Sequence, residues 1–463
     1  MQNEKNPLRT IEYIIAGFVV ILIGALVGWY FFLQSQKKQI AVVDSGRGLN
    51  SAVPAFSDTN GSTYQNIANS VAGGSSTLPG IPTADTSNGQ KKITRLWKVD
   101  NVPVAGMGFM RATSSRALYF TERASGYILS ANPFSQTITR ISGTLRPKVY
   151  NAIFANDGSV IQQTIDASSS VQTFAGSIVE STSTDASAPK ESLVGQLLAP
   201  DIRAIAMNPA TKDILYLTEA TSGGITVSTT TFANAKQTII FSSPIASWTP
   251  QWLPDGRILL TLNPSDGVPG YTYQVMPKDG SLVPLVRYVS GLIVNPHPSA
   301  PALFFSGSTG SAVSLFLRTD SGTTTIKIPL TTVASKCVWG SDVVSVSTSS
   351  VATSTTATST KATKVRNTGP VTIIKHSHTA YCAAPAKQVE GNFLTRWFRG
   401  ETHTSDEWWK IDANTGSTTL IYSPYKEESL DLDVIKPTID SEGNYIAFIN
   451  ARDQSLWMLR INP

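Results

Sequence analysis

Cysteine, charge and histidine are all scarce in this chain. Two cysteines in 463 residues, Cys337 and Cys382, exclude a disulfide framework and a Cys-rich zinc site and leave room for one bridge. Charged residues make up 15% of the chain, where globular proteins carry roughly a quarter. Ser, Thr, Gly and Asn are abundant instead, a composition that leans towards β structure outside the cytoplasm. The four histidines, His297, His376, His378 and His403, are scattered. No G-x-S-x-G, H-E-x-x-H, phosphate-binding loop or locally spaced Cys/His dyad occurs. The residues therefore indicate no reaction, no cofactor and no metal, and the chain is expected not to be an enzyme. A net charge of +5 is small for this length. Its concentrations, Lys91, Lys92 and Arg95, then Lys361, Lys364, Arg366 and Lys375, make no nucleic-acid footprint.

One long apolar run is present. Ile14 to Leu33 is 20 residues without a charge, which at about 1.5 Å per residue matches a hydrocarbon core of about 30 Å. The run ends in Trp29-Tyr30-Phe31-Phe32-Leu33 and then Lys37-Lys38, with no small-residue cleavage site, so it reads as a retained anchor over residues 11–33. Tyr13, Trp29 and Tyr30 suit the headgroup belts. Lys5 and Arg9 face Lys37, Lys38 and Arg47 across the span in a near tie. Because long domains translocate largely regardless of flanking charge, the expectation is a short cytoplasmic tail at 1–10 and an extracytoplasmic head. Gly24 and Gly28 form a G-x-x-x-G pair with Gly17 on roughly the same face, which would support a weak homodimer in the bilayer. Residues 34–90 are polar and Ser/Thr/Gly-rich, too poor in apolar side chains to offset chain entropy. They read as a disordered linker with a reach of roughly 40 Å.

From residue 91 to 463 the pattern changes to short alternating apolar runs between Gly, Asp, Asn and Pro, with no long helical period. A turn followed by a β-rich run recurs at Ala117-Leu-Tyr-Phe-Thr121, Asn156-Asp-Gly-Ser-Val-Ile161, Asp213-Ile-Leu-Tyr-Leu217, Pro254-Asp-Gly-Arg-Ile-Leu-Leu260, Ala302-Leu-Phe-Phe305, Tyr381-Cys-Ala383 and Ser441-Glu-Gly-Asn-Tyr-Ile-Ala-Phe448. The spacing, mostly about 40–55 residues, is that of four-stranded propeller blades. The fold class is therefore all-β, a β-propeller of six to eight blades with seven expected. The last unit, ending in Leu456-Trp-Met-Leu-Arg-Ile461, lacks a strand, and Ile93-Thr-Arg-Leu-Trp97 would supply it and close the ring.

Two stretches carry a family resemblance. Pro250-Gln-Trp-Leu-Pro-Asp-Gly-Arg-Ile-Leu-Leu260 and Pro437-Thr-Ile-Asp-Ser-Glu-Gly-Asn-Tyr-Ile-Ala-Phe448 are similar to the repeats of TolB-like and WD-type propellers, a likeness that extends over most of 91–463. It implies a fold that hosts receptors, scaffolds and some enzymes, and is nearly silent on activity.

Candidate sites are few. A Ser/Thr/Ala-rich insert at 341–378 reads as a flexible loop; if its flanking strands pair, Cys337 and Cys382 become neighbours within reach of a disulfide. His376-Ser-His378 has no carboxylate or third histidine beside it in sequence, and Asp431-Leu-Asp433 reads as a polar strand edge, so neither is assigned a metal. The richest aromatic cluster lies in 392–409. Phe393, Arg396, Trp397, Phe398, Arg399 and Trp408 would form a partner-binding rim if exposed, or a hairpin capping the core if turned inward. Together these features predict a membrane-anchored extracytoplasmic propeller serving as a protein-binding or envelope-scaffold module. The alternative is an extracytoplasmic hydrolase or lyase with polar residues converging at the ring centre.

Overall fold

Alternation and double burial together explain the strands. In Val313–Arg318, Val313, Leu315 and Leu317 are buried and the residues between them half-buried, the period of two that one covered face produces. Ile258–Leu262 is buried at four consecutive positions, because a sheet packed between two others hides both faces. A computed structural model describes residues 93–462 except 112–115, 181–190, 222, 234–236, 310–311, 320–323 and 348–370. The expected tail, transmembrane helix with Gly17, Gly24 and Gly28, and linker lie outside the described residues. Among those described, no helix is long and apolar enough to cross a membrane.

Seven four-stranded antiparallel sheets form a β-propeller. Blades 1 to 5 occupy 104–140, 149–197, 204–243, 248–290 and 293–328, each built from four consecutive strands. Blade 6 spans 337–422 and is interrupted after its first strand by a two-stranded hairpin, Val343–Ser347 with Val371–Lys375. The expected loop at 341–378 is thus a paired hairpin at its base. Blade 7 takes Val434–Ile439, Tyr445–Asn450 and Leu456–Arg460 from the end of the chain and Leu96–Asp100 from before blade 1.

That closing strand pairs Leu96 with Leu459 and Trp97 with Met458. It begins three residues later than the Ile93 start expected from composition, because Ile93 is exposed and Arg95 is used otherwise. The Arg95 guanidinium donates to the carbonyls of Arg460, Ile421 and Ile461 and lies over the Tyr422 ring, bolting the strand to blades 6 and 7.

The first strands of the blades meet around the axis. At Gly106 in blade 1 a Cβ would sit 1.9 Å from the carbonyl oxygen of Ala152 in blade 2, so only glycine permits that approach. Between blades the core is aromatic and aliphatic: Trp408 and Tyr422 of blade 6 pack with Val434, Phe448 and Trp457 of blade 7. Burying a side chain such as Phe448 contributes about 1.5–3 kcal/mol.

Antiparallel order sends all first-to-second and third-to-fourth connections to one side of the ring, here the hairpin face. The remaining connections lie on the opposite, capped face. That face carries a short helix, Phe393–Phe398, in blade 6. Its Thr395 N–H donates to Asp266 of blade 4 at 2.7 Å, and Phe393, Leu394 and Trp397 are buried against the ring.

Candidate functional site

The helix corrects the partner-binding rim. Phe393, Trp397 and Trp408 are 5%, 3% and 0% exposed, so the set Phe393, Arg396, Trp397, Phe398, Arg399 and Trp408 presents no aromatic rim. Phe393 and Trp397 stack with ring centroids 5.9 Å apart on one helix face, and the Trp397 indole N–H donates to Asp433 at 2.9 Å. Of the six, Arg399 alone is fully on the surface, with Arg396 and Phe398 half-buried. The inward alternative had the right direction, but the capping element is a helix and not a hairpin.

Beneath the helix lies a charge cluster with no sequence signature. The Lys336 ammonium donates to Asp406 at 2.5 Å, Asp433 at 2.7 Å and Thr404 at 2.6 Å, all buried, and His403 Nδ1 lies 3.0 Å from Asp433. Burial raises the Asp406 carboxyl above the usual carboxylate range despite Lys336. Burial would raise Asp433 too, but Lys336, His403 and Thr404 together hold it well below that range. Asp431 is exposed while Asp433 is enclosed, so these two carboxylates do not converge on a cation.

On the hairpin face, a second cluster lies between blades 5 and 6. It gathers His297 and Ser299 from the loop after the first strand of blade 5, Asp342 from the loop after Cys337–Trp339, and His376 and Ser377 from the far side of the inserted hairpin. Asp342 accepts from the Ser377 N–H at 2.8 Å and from the Ser299 hydroxyl, which also lies 2.9 Å from His376 Nδ1. Burial would raise the Asp342 carboxyl, but these hydrogen bonds and the facing histidines hold it below its ordinary value. His297, His376 and Ser377 of this cluster line a cavity of about 230 Å³ together with Trp339, His378 and Asn414.

His297, Asp342 and His376 lie close enough for a shared cation, with His297 Nε2 3.7 Å and His376 Nδ1 3.6 Å from the carboxylate. The protonation of His297 opposes that use. Its Nδ1 accepts from the backbone N–H groups of Ser299 and Ala300 at 3.2 and 3.0 Å. A neutral imidazole accepting at Nδ1 carries its proton on Nε2, and that N–H points to the Ser377 carbonyl at 3.3 Å. The nitrogen facing Asp342 therefore has no lone pair for a metal.

Ser299, His376 and Asp342 do not make a nucleophilic relay either. Such a relay needs serine and carboxylate on opposite ring nitrogens, whereas both lie by Nδ1 of His376. The arrangement is a polar clip that fixes the base of the inserted hairpin to blade 5. Sequence alone singles out His376 but does not join it to His297 or Asp342, which are 79 and 34 positions away in the chain.

A second opening on the same face, about 420 Å³, is lined by Asn156, Asp157, Pro209, Ala210 and Pro254 from blades 2, 3 and 4. Cys337 lies directly opposite Cys382 in blade 6 and the two are joined as a disulfide, buried in the core.

No protein-family model matches the chain, and no curated protein matches its sequence. Solved structures similar to it include oligogalacturonate lyase from Vibrio parahaemolyticus, at 6% identity and a TM-score of 0.47, covering 79% of this chain and 93% of that one. The WD40 domain of Neurospora crassa Pan2 is similar at 10% identity and a TM-score of 0.44, covering 78% of this chain and 90% of that one. A putative TolB from Agrobacterium tumefaciens is similar at 11% identity and a TM-score of 0.35, covering 48% and 79%. No residue role is carried across from any of them.

Proposed function

We propose that this chain is a binding module that receives a protein partner on the hairpin face of its propeller, held to a membrane by residues 14–33 with the head outside the cytoplasm. The observation that carries the reading is the asymmetry of the two faces. One carries the helix whose Phe393, Leu394 and Trp397 are buried against the ring; the other bears the inserted hairpin and two cavities. Concave openings between rigid blades, ringed by loops, are where such a scaffold offers a ligand surface. The Cys337–Cys382 disulfide supports an oxidising compartment.

The test is in-cell photocrosslinking from residues on each face. A photoreactive side chain at Ala210 or Pro254 should yield one common crosslinked species, and the same group at Glu401 on the capped face should yield none. Crosslinks from Glu401 alone, or from no position, would reject the assignment. External protease applied to the same cells should release the head by cutting within 34–90; a head protected until lysis would reject the topology.

A further inference from the structure

Blade 4 carries a ladder of aromatic rings that leads from the core to the surface. Trp248, 5% exposed, meets Tyr273 at 6.0 Å between centroids; Tyr273 lies 6.3 Å from Tyr271 with planes 12° apart; Tyr271 meets Tyr288 edge-on at 5.2 Å. Tyr288 is 74% exposed.

Its backbone is left-handed, as it is at nine other non-glycine positions among the described residues. Tyr288 has φ +62°, a left-handed conformation in which glycine is the normal occupant. The strand pairing explains the position: Gly270 faces Val289 and Tyr271 faces Arg287, so Tyr288 is the extra residue of a bulge. A glycine would serve the bulge without strain, whereas Tyr288 adds an edge contact to Tyr271 and leaves most of its ring open to a ligand.

Arg287 supplies the second requirement. It stands opposite Tyr271 in the strand pair, on the same face of the sheet, and is exposed. Among the described residues it has no ion-pair or hydrogen-bond partner. A cation without a counter-ion beside a row of tyrosines matches a ligand with both flat C–H faces and negative charge.

We propose that Tyr271, Tyr288 and Arg287 bind an anionic polysaccharide, a uronate-bearing chain whose pyranose faces stack on the rings while a carboxylate pairs with the guanidinium. This surface is on the outer strands of blade 4, separate from the hairpin face, and does not depend on the partner assigned there.

The test is affinity electrophoresis of the full chain in zwitterionic detergent micelles, with alginate, neutral dextran or polyglutamate in the gel. Alginate should retard the protein more than dextran, and polyglutamate should not retard it. Y288G should lose about tenfold in alginate affinity while its thermal midpoint stays equal or rises, which separates lost binding from lost folding. R287Q should reduce alginate to the level of dextran. Absence of alginate binding, wild-type affinity in Y288G, or equal retardation by polyglutamate would each overturn the proposal. Photocrosslinking from position 288 to a protein, without alginate binding, would overturn it in favour of a protein ligand.

Discussion

Replacing Lys336 by methionine removes the one cation that two enclosed carboxylates share. Asp406 and Asp433 are 2% and 0% exposed and lie 2.5 and 2.7 Å from the ammonium, so neither can recover water when it is gone. Deleting one partner of a buried ion pair costs about 3–5 kcal/mol, and K336M should fall in that range at pH 7.5.

The pH dependence gives the sharper check. In the wild type the Asp433 pKa is depressed, so its contribution is complete above its unfolded value of about 4 and is lost as pH falls below that. The raised Asp406 runs the other way: its contribution is complete below about pH 4 and declines as pH rises through its folded value. Without Lys336 the carboxyls lose the counter-charge they share; Asp433 keeps its contacts to Thr404, Trp397 and His403, but both groups become easier to protonate. The deficit of K336M should therefore be largest near pH 7.5 and shrink towards pH 4.5. Urea titration followed by tryptophan fluorescence measures it, with Trp397 reporting beside Asp433. Adding Asp433→Asn to K336M should recover part of the loss. A deficit below about 1 kcal/mol, or one that does not narrow on acidification, would refute the account.

Gly106→Ala should destabilise the ring at or above the upper end of the about 1–3 kcal/mol typical of overpacking, because its Cβ would meet the Ala152 carbonyl oxygen at 1.9 Å; a midpoint within error of wild type in thermal melts would contradict that contact. Zinc in large excess should leave the thermal midpoint unchanged, since His297 presents N–H and not a lone pair towards Asp342. A binder saturated a hundredfold would raise stability by about 2.7 kcal/mol, so a clear upward shift would show that the tautomer assignment fails.

The repeat was legible because each blade announces itself locally, as in Asn156-Asp-Gly158 and Pro254-Asp-Gly256, where an Asp caps the turn and Gly takes positive φ. Counting the recurring turn-and-strand units leads to six to eight blades with seven expected, and the strand missing from the last unit points to a clasp from the start of the head. What stayed hidden depends on ring closure. Lys336, Asp406 and Asp433 are separated by 70 and 97 positions from the lysine outward, and nothing local marks a lysine as buried. The helix Phe393–Phe398 is six residues long, too short to show a helical period, and its aromatic content resembles a strand. His297 escaped because it comes from the adjacent blade, and Asp342 because the inserted hairpin separates it from His376 in the chain while pairing brings the two together.

The clasp strand also has a mechanical meaning. Leu96–Asp100 is the first strand among the described residues and the outermost strand of the last blade, paired along one edge with Leu456–Arg460. Tension transmitted through the chain ahead of residue 94 would therefore arrive at this strand before any other described one. Its antiparallel ladder would open one hydrogen-bonded pair after another, starting at Leu96, after the Gln136 contact to Thr94 and the Arg95 contacts to three carbonyls have given way. A pull applied ahead of residue 94 would therefore strain the ring at its own fastening, where Gln136 holds the Thr94 carbonyl and Arg95 holds three more.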